Sequence, residues 1–308
     1  MCYHAGMQAS PLRQIALIGA TATGKSALAL KLAQRHHGLI LSLDSLALYR
    51  GIDIASAKPS PEELATVPHY GIDLLDPDQS FDVIRFLELY REVSTLAART
   101  KRPLFIVGGS AFYLKILLEG ISPLPAISPE VHQEVARLLR EPERAFATLR
   151  KRAPHYAAGL AAGDRYRLEK GLLILFQTGQ DPREYFRLHP PRPVVREPLP
   201  LFEIHREREE LRQRIRLRTR KMLEEGLVDE VAGLEARYGR GPQAMKAIGI
   251  REVLEYFDGI WDYRTMEEKI VTHTARLAKR QRTFNQSQFE NVVRGDVRDV
   301  EKAIERLL

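Results

Sequence analysis

Apolar residues fall in short unbroken runs early in the chain and in helical stripes later. Ile15-Ala16-Leu17-Ile18 has no polar break, the mark of a strand covered on both faces. Ala27–His36 then reads as a helix, and Leu39-Ile40-Leu41-Ser42-Leu43 as a second strand. Across Ser80–Thr100, Val83, Phe86, Leu87, Tyr90, Val93 and Leu96 recur near a 3.6-residue period. That spacing predicts a helix, closed by Lys101-Arg102-Pro103. Leu104-Phe105-Ile106-Val107 is a third buried run, and Gly108-Gly109-Ser110 opens the helix after it. Buried strands alternating with amphipathic helices predict a parallel sheet with crossover helices. Ligands of such sheets lie beyond the carboxyl ends of the strands.

The texture changes after Gly120. Ser122-Pro123-Leu124-Pro125 reads as a linker, and residues 129 to about 186 are rich in Arg, Glu, Ala and Leu without a strand pattern. Pro190-Pro191-Arg192-Pro193 is a second break, and Pro200–Ile204 reads as a strand returning to the sheet. The expected organisation is an α/β core in two parts, 1–122 and 191–308, with a helical insertion at 123–190. Basic helices follow to the end, with a hinge-like stretch at Gly239–Pro242.

Bulk composition narrows the class. With 44% hydrophobic and 28% charged residues, the chain is an ordinary globular one. A net charge of +7 permits an anionic macromolecular partner. The single cysteine, Cys2, excludes a disulfide framework and any Cys-based zinc module, and suits a reducing cytosol. Met1–Gln14 has no signal-peptide pattern, and no apolar stretch is long enough to span a bilayer. A cytoplasmic protein with no membrane partner is expected.

Gly19-Ala20-Thr21-Ala22-Thr23-Gly24-Lys25-Ser26 matches Gly-x-x-x-x-Gly-Lys-Ser, the phosphate-binding P-loop. It lies between the first strand and its helix, where free N–H groups and the helix dipole face an anion. Lys25 would reach the outer phosphates and Ser26 would hold Mg²⁺. Asp44 ends the second strand at the same edge of the sheet; it could be a metal ligand, a general base or a cap for the next turn. Ser110 reaches that edge too, unless it only caps the following helix. Residues 206–221 hold seven arginines and one lysine against three glutamates. Arg212, Arg216 and Arg220 form one helical stripe, and Arg214 and Arg218 another, facing solvent, the cleft or nucleic acid. Arg276, Lys279 and Arg280 repeat the theme.

Together these segments resemble the tRNA dimethylallyltransferases (isopentenyl-tRNA transferases). The resemblance is carried by Gly19–Ser26, Asp44-Ser45-Leu46-Ala47-Leu48-Tyr49-Arg50-Gly51, Ala57-Lys58-Pro59, Pro68-His69-Tyr70 and Val107-Gly108-Gly109-Ser110. It continues through Arg214-Ile215-x-x-Arg218, Ala247-Ile248-Gly249 and Ala278-Lys279-Arg280-Gln281-x-Thr283. Ala20 stands where the family commonly has proline, and Ser110 where threonine is usual, with the hydroxyl kept. The lone cysteine excludes the zinc finger of the eukaryotic enzymes, so the bacterial form is implied.

The resemblance implies a P-loop NTPase-like fold and a reaction. The dimethylallyl group of dimethylallyl diphosphate goes to N6 of adenosine 37, next to the anticodon, in tRNAs reading codons that begin with U. Mg²⁺ is required, and diphosphate leaves. Asp44 would be the base, with Lys25, Ser110 and Arg218 on the leaving group. Asp44, Ser45, Leu46, Ala47 and Ser110 would meet the tRNA base, and Arg167, Arg276, Lys279 and Arg280 the anticodon stem-loop. A monomer is expected. The competing classes are a P-loop small-molecule kinase and a non-catalytic RNA-binding ATPase. The latter lacks a conventional Walker-B acid, because the third run ends Val107-Gly108-Gly109.

Overall fold

The computed structural model describes residues 12–161 and 163–308; Cys2 lies outside them. In chain order the first elements are β1 (Gln14–Ile18), α1 (Lys25–Arg35), β2 (Leu39–Ser42), α2 (Pro61–Thr66) and β3 (His69–Tyr70). Next come α3 (Val83–Thr100), β4 (Leu104–Gly108) and α4 (Ala111–Glu119). Five helices follow: α5 (Pro129–Leu138), α6 (Pro142–Arg152), α7 (Pro154–Ala157), α8 (Arg165–Thr178) and α9 (Pro182–Leu188). The chain closes with β5 (Leu201–Ile204), α10 (Arg208–Glu224), α11 (Leu227–Tyr238), α12 (Ile250–Phe257), α13 (Tyr263–Gln288), β6 (Val292–Gly295) and α14 (Val297–Glu305).

The strands form one sheet in the order β3-β2-β4-β1-β5-β6. Every neighbouring pair is parallel. Pleating sorts the side chains of the apolar runs onto two faces. Ile15, Leu17, Ile40, Phe105, Val107, Phe202 and Ile204 share one cluster with Leu28, Leu32, Val300 and Ile304, so α1 and α14 cover that face. Gln14 points the other way and accepts the Tyr90 hydroxyl of α3 at 2.9 Å. Asp82 caps α3 by accepting the Arg85 N–H, which starts this helix three residues inside the amphipathic stretch.

Two strands escape the sequence reading. β3 and β6 are short edge strands of partly exposed residues, so they carry no buried-run signature. Leu104–Gly108 is accordingly the fourth strand in chain order. The C-terminal part is not wholly helical, because β6 returns to pair with β5. Helices α10 to α13 have their own apolar cluster, with Met222, Val231, Met245, Ile250, Met266 and Ile270 closing around Leu48, Tyr49 and Ile52.

The chain divides into two compact units. The first runs up to Leu117 and resumes over Val195–Leu308; the second is Leu118–Val194. The second unit has a separate core in which Val135, Leu149, Leu168, Leu172 and Leu175 meet. Its helices start on clear signals: Ser128 accepts the Val131 N–H ahead of Pro129, and Asp164 accepts the Arg167 N–H.

Phe105 is fully buried at the middle of the sheet, whereas Val293 on the edge is 46% exposed. Phe105→Ala is expected to destabilise the protein by about 3–5 kcal/mol. Val293→Ala should stay within about 0.5 kcal/mol. Urea midpoints of the two variants against the wild type check the pair.

Candidate active site

The phosphate loop leaves β1 at Ile18 and enters α1 through Gly24, whose φ of 101° is one that glycine adopts without strain. No side chain caps α1, so its first-turn N–H groups are left for an anion. The loop's carbonyls turn outward and are taken by cations. Lys25 Nζ donates to Ala20 O at 3.0 Å, Arg214 Nε to Ala22 O at 2.7 Å and Arg206 Nε to Thr23 O at 2.9 Å. Arg218 Nη1 donates to the Thr21 hydroxyl at 3.0 Å. The Arg214/Arg218 stripe of α10 therefore faces the loop, the orientation that its four-residue spacing allows.

Lys25 is 8% exposed. Burial is the main reason its pKa falls to about 8; neighbouring Arg218 lowers it further and Asp44 opposes the fall. Burial also disfavours the charge on Arg218, and Asp44 again supports it. Asp44 is thus the acidic group to which both cations respond. Its Oδ1 accepts the Leu46 and Ala47 N–H groups at 2.8 and 3.3 Å, so one oxygen does cap the turn that follows β2. Its other oxygen takes no hydrogen bond from a described residue. One oxygen of the carboxylate is therefore occupied by the cap and the other is left open. The Ser110 hydroxyl accepts the Ser45 N–H at 3.3 Å, which ties the β4–α4 turn to the segment holding Asp44.

Two cavities adjoin here. One, of about 210 Å³, is lined by Lys25, Ser26, Ser42 and Lys58. The other, of about 610 Å³, is lined by Ser45, Leu46, Ser110, Tyr113, Arg280 and the apolar side chains of Ile215, Ile248, Ile270 and Phe284. Thr21, Asp44, Gly109, Arg218, Leu277 and Gln281 line both. A chamber lined by the loop's lysine and a larger, mostly apolar chamber thus meet at a carboxylate and an arginine.

The sequence model described as IPP transferase matches residues 47–288. The chain belongs to that family. It is 49% identical over 294 residues to the tRNA dimethylallyltransferase of Sulfurovum sp. (strain NBC37-1), covering 96% of this chain and 98% of that one. It is 46% identical to the enzyme of the same name from Nautilia profundicola, covering 94% and 98% of the two chains. The crystal structure of the full-length tRNA isopentenylpyrophosphate transferase from Bacillus halodurans is 28% identical, with a TM-score of 0.70 over 96% of each chain. A eukaryotic dimethylallyltransferase acting on tRNA shares the fold at 23% identity, with a TM-score of 0.81 over 92% of this chain and 74% of that one.

The structure brings together Gly19–Ser26, Asp44–Ala47, Ser110, Arg218 and Arg280. It separates other residues that the sequence grouped. Arg276 and Lys279 line a different groove, of about 700 Å³ between α10 and α13, with Arg208, Arg212, Arg216 and Arg282. Adjacent helix positions diverge by about 100°, so Lys279 and Arg280 serve different surfaces. In the groove Arg220 pairs with Glu267 at 3.1 Å and Arg264 with Glu268 at 3.5 Å; the other cations make no ion pair with a described residue. Arg167 belongs to α8 in the second unit, exposed and 3.4 Å from Asp164.

Sequence reasoning missed Arg206 and Gln281 as site residues, and a supporting pair as well. Lys58 Nζ donates to Tyr49 O, Asp53 and Asp73, each at 2.6 Å. Glu230 accepts the N–H groups of Asp53, Ile54 and Ala55 at 2.8, 2.7 and 2.9 Å. Together they fix the loop that brings Ser56 to both cavities. The Ala57-Lys58-Pro59 signature is visible in the sequence, but Glu230, which holds the residues just before it, lies far along the chain.

Lys25 is cationic below about pH 8 and neutral above it in the free protein. Bound diphosphate favours the cation, so affinity for inorganic diphosphate should fall as pH rises through 8. Binding at pH 8.5 should take up protons. Calorimetry at pH 7 and pH 9, in buffers of different ionisation enthalpy, measures both effects. Lys25→Met should bind weakly at both pH values and flatten the profile.

Proposed function

We propose that the chain transfers the dimethylallyl group of dimethylallyl diphosphate to N6 of adenosine 37 in tRNAs reading codons that begin with U. The observation that carries the chemistry is a cation-lined phosphate loop sharing a wall with an apolar chamber at Asp44. In the family context, the kinase and RNA-switch readings lose their footing: the bond to break is carbon–oxygen.

The exocyclic amine of adenine is a weak nucleophile, because its lone pair is delocalised into the ring. The free oxygen of Asp44 accepts one N6 hydrogen, orients the amine and takes the proton as the C–N bond forms. On the far side diphosphate gathers negative charge as the C–O bond lengthens. Lys25, Arg218 and the loop N–H groups stabilise it without reorganising. The Ser110 oxygen is occupied by the Ser45 N–H, which leaves its own hydrogen to donate toward substrate. The allylic carbon gains positive character, and the walls of Ile215 and Leu277 keep water from it.

Among the described residues no three His, Cys, Asp or Glu side chains cluster as a metal cage. That suits Mg²⁺, which is commonly held by one or two protein oxygens plus substrate phosphates. Ser26 would supply the protein oxygen, and the ion would offset charge on the leaving diphosphate.

Enzymes acting on a base edge take the base out of its stack, and the 610 Å³ chamber has the apolar walls to receive adenine. Ser45 and Leu46, which line that chamber, meet the base, whereas Ala47, expected from the sequence to join them, lines the smaller cavity. Arg280 at the chamber and Arg276 and Lys279 in the outer groove hold phosphates, as does Arg167 on the insertion. The same reading has the enzyme acting as a cytosolic monomer. No helix among the described residues is long and apolar enough to cross a membrane.

Incubation of tRNA with the protein, Mg²⁺ and dimethylallyl diphosphate should yield a prenylated adenosine on mass analysis of nucleosides. Strong thermal stabilisation by ATP with none by dimethylallyl diphosphate would sink the proposal. Asp44→Ala should lower turnover by far more than tenfold, roughly 1.4 kcal/mol, while tRNA affinity holds. Arg218→Gln should impair steps that depend on the diphosphate; normal turnover with unchanged donor affinity removes it from the site. Lys279→Gln should weaken tRNA binding and reduce the salt slope by about 1, seen by titration at several salt concentrations.

A further inference from the structure

The two halves of the proposed reaction rest on different elements. The diphosphate side is the loop after β1, together with Arg218 from α10. The acceptor side is Asp44 after β2 and Ser110 after β4. In the sheet β4 pairs with both β2 and β1, but the ladder ends at Ser42, Gly108 and Ile18, and among the described residues no backbone hydrogen bond spans the gap from the loop after β1 to the turn after β4.

One side chain crosses that gap. Gln281 of α13 accepts the Thr21 N–H through Oε1 at 2.9 Å and donates through Nε2 to Gly109 O at 3.1 Å. Each end continues into the chemistry. The Thr21 hydroxyl holds Arg218 at 3.0 Å. Gly109 precedes Ser110, whose hydroxyl holds the N–H of Ser45, the neighbour of Asp44. A carboxamide offers an acceptor and a donor at fixed separation; a carboxylate lacks the donor, and a thioether lacks an N–H donor and accepts only weakly.

The surroundings hold this carboxamide in place. A Cβ at Gly109 would lie 2.4 Å from Nε2, so any larger residue there must push the amide end aside. One turn further along α13, Asn285 is 1% exposed and donates to Glu203 of β5 at 2.8 Å. One turn earlier, Ala278 packs on Ala20 of the loop. The helix is therefore pinned to the sheet and the loop on either side of Gln281. The side chain also lines both cavities.

We propose that Gln281 is a positioning residue that sets the spacing between the leaving diphosphate and the base held by Asp44. The proposal rests on the transferase reading. In productive transfer the C1–O bond to diphosphate breaks, the C1–N6 bond forms, and the N6 proton passes to Asp44. If the base is out of line, water captures C1 instead: the same C1–O bond breaks, a new C1–O bond to water forms, and the water proton goes to solvent. The products are then dimethylallyl alcohol and diphosphate. The ratio of alcohol to prenylated tRNA reports alignment, and neither stability nor affinity moves it.

The test compares full-length wild type with Gln281→Met and Gly109→Ala. The first removes the amide's N–H donor and carbonyl acceptor at similar length, and the second displaces Nε2 while keeping the glutamine. Both variants are expected to lower kcat about 10- to 100-fold, with KM for tRNA and for dimethylallyl diphosphate within about threefold. The alcohol-to-prenyl ratio should rise in both, at a melting temperature near that of the wild type. A wild-type ratio in Gln281→Met overturns the positioning role, whether kcat is normal or has fallen together with melting temperature. A wild-type protein that forms no prenylated adenosine defeats the transferase reading instead, so the two failures are separable.

Discussion

A loop that turns its N–H groups inward to an anion must dispose of its carbonyls on the other side. Around Gly19–Ser26 that disposal organises the molecule. Ala20 O, Ala22 O and Thr23 O go to Lys25, Arg214 and Arg206 respectively. Two of these partners come from α10 or the turn just before it, so satisfying the loop also fixes the helix. With α10 in place, Arg218 falls beside Thr21, and Ile215 joins Ala20 and Ala278 in a small buried cluster. The small side chains of Ala20 and Ala278 let α13 approach closely enough for Gln281 to reach the loop.

Burial and the crowding of cations together shape the electrostatics. Lys25 is buried beside the half-buried Arg218, with Asp44 the acid that both sense. Lys25 loses basicity chiefly through burial, and further through Arg218 beside it. In the proposed reaction a diphosphate supplies the compensating charge and becomes more negative as the allylic bond breaks, which is the condition for a site that favours the transition state over the ground state. Asp44 avoids full commitment to its cationic neighbours because one oxygen is held by the turn it caps. The remaining oxygen is oriented by that cap toward the shared wall of the cavities.

The arginines of α10 show how much of the site was legible beforehand. Their spacing alone separated Arg214 and Arg218 from Arg212, Arg216 and Arg220, and the structure sends the first pair to the loop and the second set to the outer groove. Spacing could not say which stripe faced inward. For α13 it misled: Arg276, Lys279 and Arg280 read as one cluster, yet they divide between two surfaces. Gln281 stood inside a recognised motif without a role, because its partners Thr21 and Gly109 lie 260 and 172 residues away. Edge strands β3 and β6 were invisible for a related reason: half-exposed pairs carry no hydrophobic signal of their own and are strands only because a neighbour offers hydrogen bonds.

By itself the sequence determined the local chemistry: a phosphate loop between a buried strand and a helix, a carboxylate at the end of the next buried strand, and a parallel sheet with a helical insertion. These follow from periodicity, capping and the short-range geometry of glycine and lysine, which need no distant partner. Tertiary structure alone decided which cations enter the site, which oxygen of Asp44 stays free, and which side chain ties the phosphate loop to the turn after β4. Those choices are made by contacts between segments remote in the chain, and no local pattern records them.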